Sequence, residues 1–334
     1  MAAHATTVTI AEGFKDEAGF NDDGGEEMKN LLPGTTAKVG SGENLKEAAV
    51  VFDQRPLNLP GTILAIFPGA ILVVVRLVST LVLFPIFVVL IVLTGSLGCE
   101  GCSVWLMRFG CRLWLFFLGF IWITYSGTPY EIPEEGAVLV GNHTGGVDIL
   151  WMVYYYGPAF IANADVADLP LVGICAKQLQ CIFVDRTTES AGTSKAIAAF
   201  FDEKRGTAPR LCIFPEGTST NGQGVVTFRT GAFLSPVTVL PHAFELPFHE
   251  GCQYDPYFSI AYHMPYLCGL MSQIYNCMQV EFLPPDRYDA SVPVKERAER
   301  VRKQISDSLE VPLYDLRWKD KQDLETSMGI EAGH

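Results

Sequence analysis

A histidine and an aspartate stand five residues apart in Asn142-His143-Thr144-Gly145-Gly146-Val147-Asp148. A neutral imidazole can accept a proton from an alcohol near pH 7. A carboxylate on its second ring nitrogen fixes the tautomer and stabilises the imidazolium that forms. Gly145 and Gly146 let the backbone curl so that Asp148 can reach back to the ring. An alcohol activated in this way can attack an acyl carbonyl. The chain has no Gly-x-Ser-x-Gly elbow and no cysteine beside His143, so the attacking hydroxyl is expected to belong to the substrate. The spacing therefore points to direct acyl transfer.

Three further segments can position groups around that pair. Gln180-Cys181-Ile182-Phe183-Val184-Asp185-Arg186 is an apolar, strand-like run that would deliver Arg186 to a cleft. Leu211-Cys212-Ile213-Phe214 is a buried-strand pattern ending at Pro215-Glu216-Gly217-Thr218. Thr227-Phe228-Arg229-Thr230-Gly231-Ala232-Phe233 follows, then Val237-Thr238-Val239-Leu240-Pro241. Ala137 to Val140 and Gln279 to Phe282 also have strand character, while Val147 to Tyr156, Ser190 to Lys204 and Arg297 to Leu309 have helical spacing. Strands alternating with helices predict an α/β fold, a sheet covered by helices. His143 then follows a strand, at the end where open α/β sheets usually bind ligands.

In order and spacing these blocks resemble the glycerolipid acyltransferase family. Its marks are His-x4-Asp, a strand ending in Asp-Arg, Phe-Pro-Glu-Gly, and a late strand with proline. Glu216 to Gly222, Thr227 to Phe233 and Val280 to Pro285 look like the lysophosphatidylcholine and lysophosphatidylethanolamine branch. The resemblance, over about residues 50 to 310, implies a mixed sheet, His143 as base and Asp148 as its partner. It also implies acceptor binding by Arg186, Glu216, Gly217 and Thr218, and acyl-CoA as co-substrate with no tightly bound cofactor. Glu216 would repel a phosphate, so it is expected to bond a glycerol hydroxyl or to orient Arg186 and the amides of Gly217 and Thr218. Arg229 is read either as a ligand for the acceptor or coenzyme A phosphates or as a solvated surface charge. Lysophosphatidate enzymes usually carry Arg straight after the Glu-Gly-Thr triplet, where this chain has Ser219. The expected acceptor is therefore a lysophospholipid, with glycerol 3-phosphate or lysophosphatidate as the rival. A membrane scaffold without catalysis, or transacylation without coenzyme A, are further readings. A scaffold should have lost one of the His, Asp, Arg and Glu positions, and all four are present.

Hydrophobic residues make up 49% of the 334, and the mean hydropathy is +0.23, more than a soluble domain needs. The excess is local. Leu77 to Leu97 runs 21 residues without a charge, close to the ~20 that cross a hydrocarbon core. Thir stretch is preceded by 14 uncharged residues, Thr62 to Val75, with only Arg76 between them. One tilted span, a hairpin within one leaflet, or two compressed spans turning at Arg76 all fit. Trp105 to Tyr125, with Arg108 and Arg112 on one face, is expected to lie in the membrane interface rather than in a core. The net charge of −13 argues against nucleic acid.

The first 50 residues carry nine acids against four lysines, without an apolar run of signal-peptide type, and are expected to be a dispensable, disordered tail. The organisation expected is a tail over 1–55, a helical membrane-anchoring module over 56–125, a catalytic domain over 126–312 and an extension over 313–334. The nine cysteines are read as reduced; Cys99-Glu100-Gly101-Cys102 lacks a second ligand pair for zinc. His242, His249 and His263 have no metal-ligand spacing and are read as structural or exposed, and the mechanism needs no metal. Asn142-His143-Thr144 is also a glycosylation sequon. A glycan there would block the base, which favours a cytosolic active site on a membrane such as the endoplasmic reticulum.

Overall fold

The computed structural model describes residues 42–53, 59–169, 171–184, 190–249, 253–259 and 263–328. Its strands are β1 (Ile123–Gly127), β2 (Ala137–Gly141), β3 (Ala159–Asn163), β4 (Ile182–Val184), β5 (Arg210–Cys212), β6 (Thr238–Glu245) and β7 (Met278–Phe282). They form one sheet in the order β1-β7-β6-β2-β5-β3-β4. Every pairing is parallel except that of β6 with β7, so the sheet is mixed as expected. The central β2 reads Ala-Val-Leu-Val-Gly and is buried along its whole length. A continuous apolar run is what a strand covered on both faces requires.

The helices are α1 (Gly42–Phe52), α2 (Leu59–Ser96), α3 (Glu100–Phe117), α4 (Gly146–Tyr156), α5 (Val172–Gln178), α6 (Ser190–Glu203), α7 (His263–Ser272), α8 (Val294–Leu309) and α9 (Trp318–Ser327). One layer of core joins Leu139 of β2 to Trp151 and Met152 of α4 and Leu270 of α7. The other joins Val138 and Val140 to Ile197 of α6 and to Val301 and Ile305 of α8. Successive β2 side chains thus serve opposite layers, as the strand period of two demands.

The long apolar segment is one continuous helix through Arg76, so the arrangement of two spans turning at that residue is not formed. Gly69–Ser96 is long and apolar enough to cross a membrane, with a mean hydropathy of 2.8 and only 11% of its most apolar window buried. The chain reverses near Gly98 and returns as α3. Thr94 pairs with Ser103 and Phe84 with Trp114, an antiparallel hairpin. Arg76 donates to the carbonyls of Met271 and Ile274 at 2.9 Å, and to that of Gln273. These carbonyls lie at or just beyond the C-terminal end of α7, where helices leave acceptors unpaired, so the charge docks the hairpin on the domain.

Trp105 to Tyr125, expected in the membrane interface and not in a core, packs in part against the domain. Trp105, Phe109 and Phe116 are exposed, but Met107 and Leu115 are buried, and the segment ends in a sheet strand. Arg108 donates to the carbonyls of Tyr154 and Tyr155, at 2.9 and 2.8 Å, and Arg112 to those of Phe120 and Ile121. The cost of burying guanidinium is offset by carbonyls, so α3 packs on α4 despite its two arginines. The boundary expected at residue 125 cuts through β1, which pairs residue by residue with β7.

Two other expectations are corrected. Residues 42–53 are not a disordered tail: α1 buries Ala48, Val51 and Phe52 against Val226, Leu316 and Leu324. Those last two residues belong to the segment expected as an extension, which α9 closes over α1. Cys99 and Cys102 are not reduced but joined in a disulfide, because the first turn of α3 brings their Cα atoms to 5.3 Å.

Candidate active site

The site grows from the β2–β5 register. Leu139 pairs with Cys212, so His143 and Glu216 each lie four residues beyond a matched pair, at the C-terminal ends of adjacent parallel strands. The loop after β2 is held first by Asn142. Its side-chain amide donates to the Phe244 carbonyl at 2.9 Å and accepts the Phe244 N–H at 2.7 Å, prolonging the β2–β6 pairing. Asn142 is 2% exposed, so the sequon is spent on the fold.

His143 Nδ1 and Asp148 Oδ2 are 2.9 Å apart. The same oxygen accepts the N–H of Thr144 at 2.6 Å and of Gly145 at 3.3 Å, and Oδ1 accepts the Ile149 N–H at 2.7 Å. Asp148 is buried in the first turn of α4, where N–H groups gather. Gly145 has φ 128°, and a Cβ there would stand 2.6 Å from that of Phe258; glycine is required at this turn. With Nδ1 given to Asp148, Nε2 is the nitrogen that can take a proton from an alcohol. The imidazole lies on the Phe214 ring, centroids 4.4 Å apart and planes inclined by 17°. Burial lowers the His143 pKa, but the Asp148 charge and hydrogen bond, aided by Glu216, outweigh it and raise the pKa above the usual 6.5.

The structure turns Glu216 inward. Its Oε2 accepts the His143 N–H at 2.7 Å and its Oε1 the Val226 N–H at 3.2 Å, and the residue is 1% exposed. Burial pushes its carboxyl up to about 7 against those hydrogen bonds. The expected acceptor contact thus becomes a link between the catalytic loop and the core. Gly217, at φ 67°, donates its N–H to the Phe214 carbonyl at 3.1 Å within the turn, so that amide is not directed at a phosphate. A Cβ on Gly217 would come within 2.8 Å of Arg229 Nε. The small residue lets the exposed Arg229 lie along this loop. Thr218 is nearly buried beside it. Arg186 lies outside the described residues.

Reading the sequence missed four positions. Phe214 carries the histidine ring, Asn142 fixes its loop, and Phe258 donates its N–H to the Thr144 carbonyl at 2.9 Å. Lys321 of α9 is 6% exposed and donates to Ser219 O at 3.1 Å, Ser219 Oγ at 3.3 Å and Ser259 O at 3.4 Å. Its one sequence signal is Leu324, three residues on, which puts Lys321 on the buried face of a short helix. His242 is buried and meets the Tyr156 hydroxyl at 2.8 Å, with burial lowering its pKa to about 4. His249 is exposed. Among the described residues no three His, Cys, Asp or Glu side chains are grouped to hold a metal.

Residues 123–245 match the Acyltransferase family model. The chain is 32% identical over 251 residues to the lysophospholipid acyltransferase LPEAT1 of Arabidopsis thaliana, covering 64% of this chain and 61% of that protein. It is 29% identical over 219 residues to a lysophosphatidylcholine acyltransferase of Drosophila melanogaster, covering 63% of this chain and 40% of that one. The chain therefore spans less than two thirds of these relatives. Its fold is similar to the crystal structure of the 1-acyl-sn-glycerophosphate acyltransferase PlsC from Thermotoga maritima. The TM-score is 0.54 at 14% identity, over 72% of this chain and 96% of that one. The match to the Acyltransferase family model runs from β1 to β6 and contains the His143–Asp148 pair.

Proposed function

We propose that the protein transfers a fatty acyl group from acyl-CoA to the free hydroxyl of a lysophospholipid, with choline or ethanolamine lysolipids preferred, in phospholipid synthesis and remodelling. The observation that carries this reading is the 2.9 Å contact of His143 Nδ1 with buried Asp148. That contact leaves Nε2 as the base in a loop fixed by Glu216. The names of the relatives supply the substrate class.

In the reaction, His143 Nε2 takes the proton of the lysolipid hydroxyl as its oxygen bonds to the thioester carbon. The Asp148 charge stabilises the imidazolium. When the tetrahedral intermediate collapses, the carbon–sulfur bond breaks and the thiolate leaves with the proton held on His143. The products are a diacyl phospholipid and free coenzyme A. Arg229 and Arg186 are assigned to phosphate binding by charge-assisted hydrogen bonds, with Thr218 as a further acceptor contact; Glu216 is a positioning residue. The apolar hairpin of α2 and α3 is assigned to a bilayer, and the active site to the cytosolic face of the endoplasmic reticulum.

The head-group preference rests on Ser219, because a dianionic phosphomonoester would gain from an arginine there and a phosphodiester needs it less. The test offers the purified full chain labelled acyl-CoA with lysophosphatidylcholine, lysophosphatidylethanolamine, lysophosphatidate and glycerol 3-phosphate. Faster transfer to the first two is expected. Equal or faster transfer to glycerol 3-phosphate reverses the acceptor assignment, and transfer to none of them favours the scaffold.

A further inference from the structure

Lys321 enters the floor of the site from α9. Its three hydrogen-bond acceptors, Ser219 O and Oγ and Ser259 O, belong to two segments that hold the catalytic loop. The next residue of one, Thr220, donates its N–H to the His143 carbonyl at 2.9 Å. The preceding residue of the other, Phe258, donates to the Thr144 carbonyl at 2.9 Å. The ammonium therefore clasps both supports of the His143 loop from below.

A buried ammonium bonded to three neutral oxygens is costly to maintain. A surface lysine or an apolar residue would fill a helix–helix contact without that cost. The cation is enclosed by α1, whose Phe52 ring lies 5.8 Å from Nζ. The end of α1 is itself tied to the same loop: Asn221 donates from its backbone to Val51 O at 2.9 Å and from its side chain to Val50 O at 2.7 Å. The charged groups that act on His143 are Asp148 from α4 and Glu216 from the loop after β5, which favour the imidazolium, and Lys321, which opposes it. Glu325 on α9 is the charge that acts on Lys321, while burial lowers the lysine to about 8.

We propose that Lys321 is a positioning residue for acyl transfer, which clasps the Ser219–Thr220 and Phe258–Ser259 segments under the His143 loop. This rests on the reading of His143 as the base.

The experiment uses the full chain in lipid nanodiscs and compares wild type with Lys321→Met, Lys321→Gln and Lys321→Arg. It measures kcat and lysolipid KM across pH, with thermal melting as a check on folding. The neutral Met and Gln variants are expected to lower kcat by about tenfold or more with little change in KM. They should also move the acid limb of kcat/KM upward, since removing a nearby cation stabilises imidazolium. Arg should leave that limb where wild type has it. Folded neutral variants with kcat unchanged, or both neutral variants failing to fold while Arg behaves as wild type, would reduce Lys321 to a structural part and overturn the proposal. A wild-type chain that acylates no acceptor overturns the acyl-transfer reading instead.

Discussion

Glu216 binds His143 through the main chain rather than through the imidazole: its Oε2 accepts the His143 N–H at 2.7 Å, and its Oε1 accepts that of Val226. His143 is thereby held on both sides. Asp148 sets the ring, and Glu216 sets the peptide that carries it.

Glu216→Gln keeps the volume but offers one acceptor where two N–H groups need one each. A buried donor left unpaired costs about 1–3 kcal/mol. A fall in melting temperature together with a fall in kcat is expected, and the lysolipid KM should change less. A variant that loses only acceptor affinity, at wild-type stability, would return Glu216 to a direct substrate contact.

The pH dependence follows from the sign of the His143 shift. As the proposed base, His143 works when neutral, and its pKa is raised, so activity should be lost as pH falls through a value above 6.5. In Asp148→Asn the largest opponent of burial is lost, so the acid limb of kcat/KM should move to lower pH. The rate should drop steeply as well, since in Ser-His-Asp hydrolases this exchange costs ~10⁴-fold. Profiles of the two proteins on one acceptor check both signs.

Ser219→Arg, which the sequence suggests as a route towards lysophosphatidate, meets an obstacle. Ser219 Oγ is 3.3 Å from Lys321 Nζ and the residue is buried. A guanidinium there would face an ammonium in a poorly solvated place. The single substitution should lower the melting temperature, and adding Lys321→Met should recover part of the loss. A stable single variant with raised lysophosphatidate activity would show that the loop can turn outward.

Truncation separates the two parts of the N-terminal region. Starting the chain at residue 42 should leave turnover near wild type. Starting it at residue 54 removes α1, uncovers Leu316 and Leu324, and takes from Asn221 the carbonyls of Val50, Val51 and Asp53. The second truncation should melt several degrees lower and lose activity, measured on both proteins in the same detergent.

The long apolar strands and the motif loops were legible because burial on both faces leaves a continuous apolar run, as in β2. β1 was not. It is an edge strand whose residues are mostly exposed, so Ile123 to Gly127 carries no alternation and was absorbed into the aromatic segment before it. β3 is five residues, one proline after the left-handed Gly157 that ends α4, too short to show a period. α1 and α9 are short and bury only a few side chains each, and they find their apolar surface on one another and on Val226, Tyr314 and Leu316. The His143–Asp148 pair could be read because its five-residue spacing is local. The inward turn of Glu216 depends on the β2–β5 register, and the reach of Lys321 on a contact across 102 residues, neither of which local spacing encodes.

The central claim is that His143 is the base of an acyl transfer, and the most direct measurement is steady-state release of coenzyme A by His143→Ala with acyl-CoA and lysophosphatidylcholine. The wild-type full chain is assayed beside it, and folding is checked by melting temperature. Loss of ~10²–10⁴-fold in kcat or more, the usual range for a general base, is expected with the fold retained. Turnover within about a factor of two of wild type would contradict the mechanism, because a general base supplies far more than that.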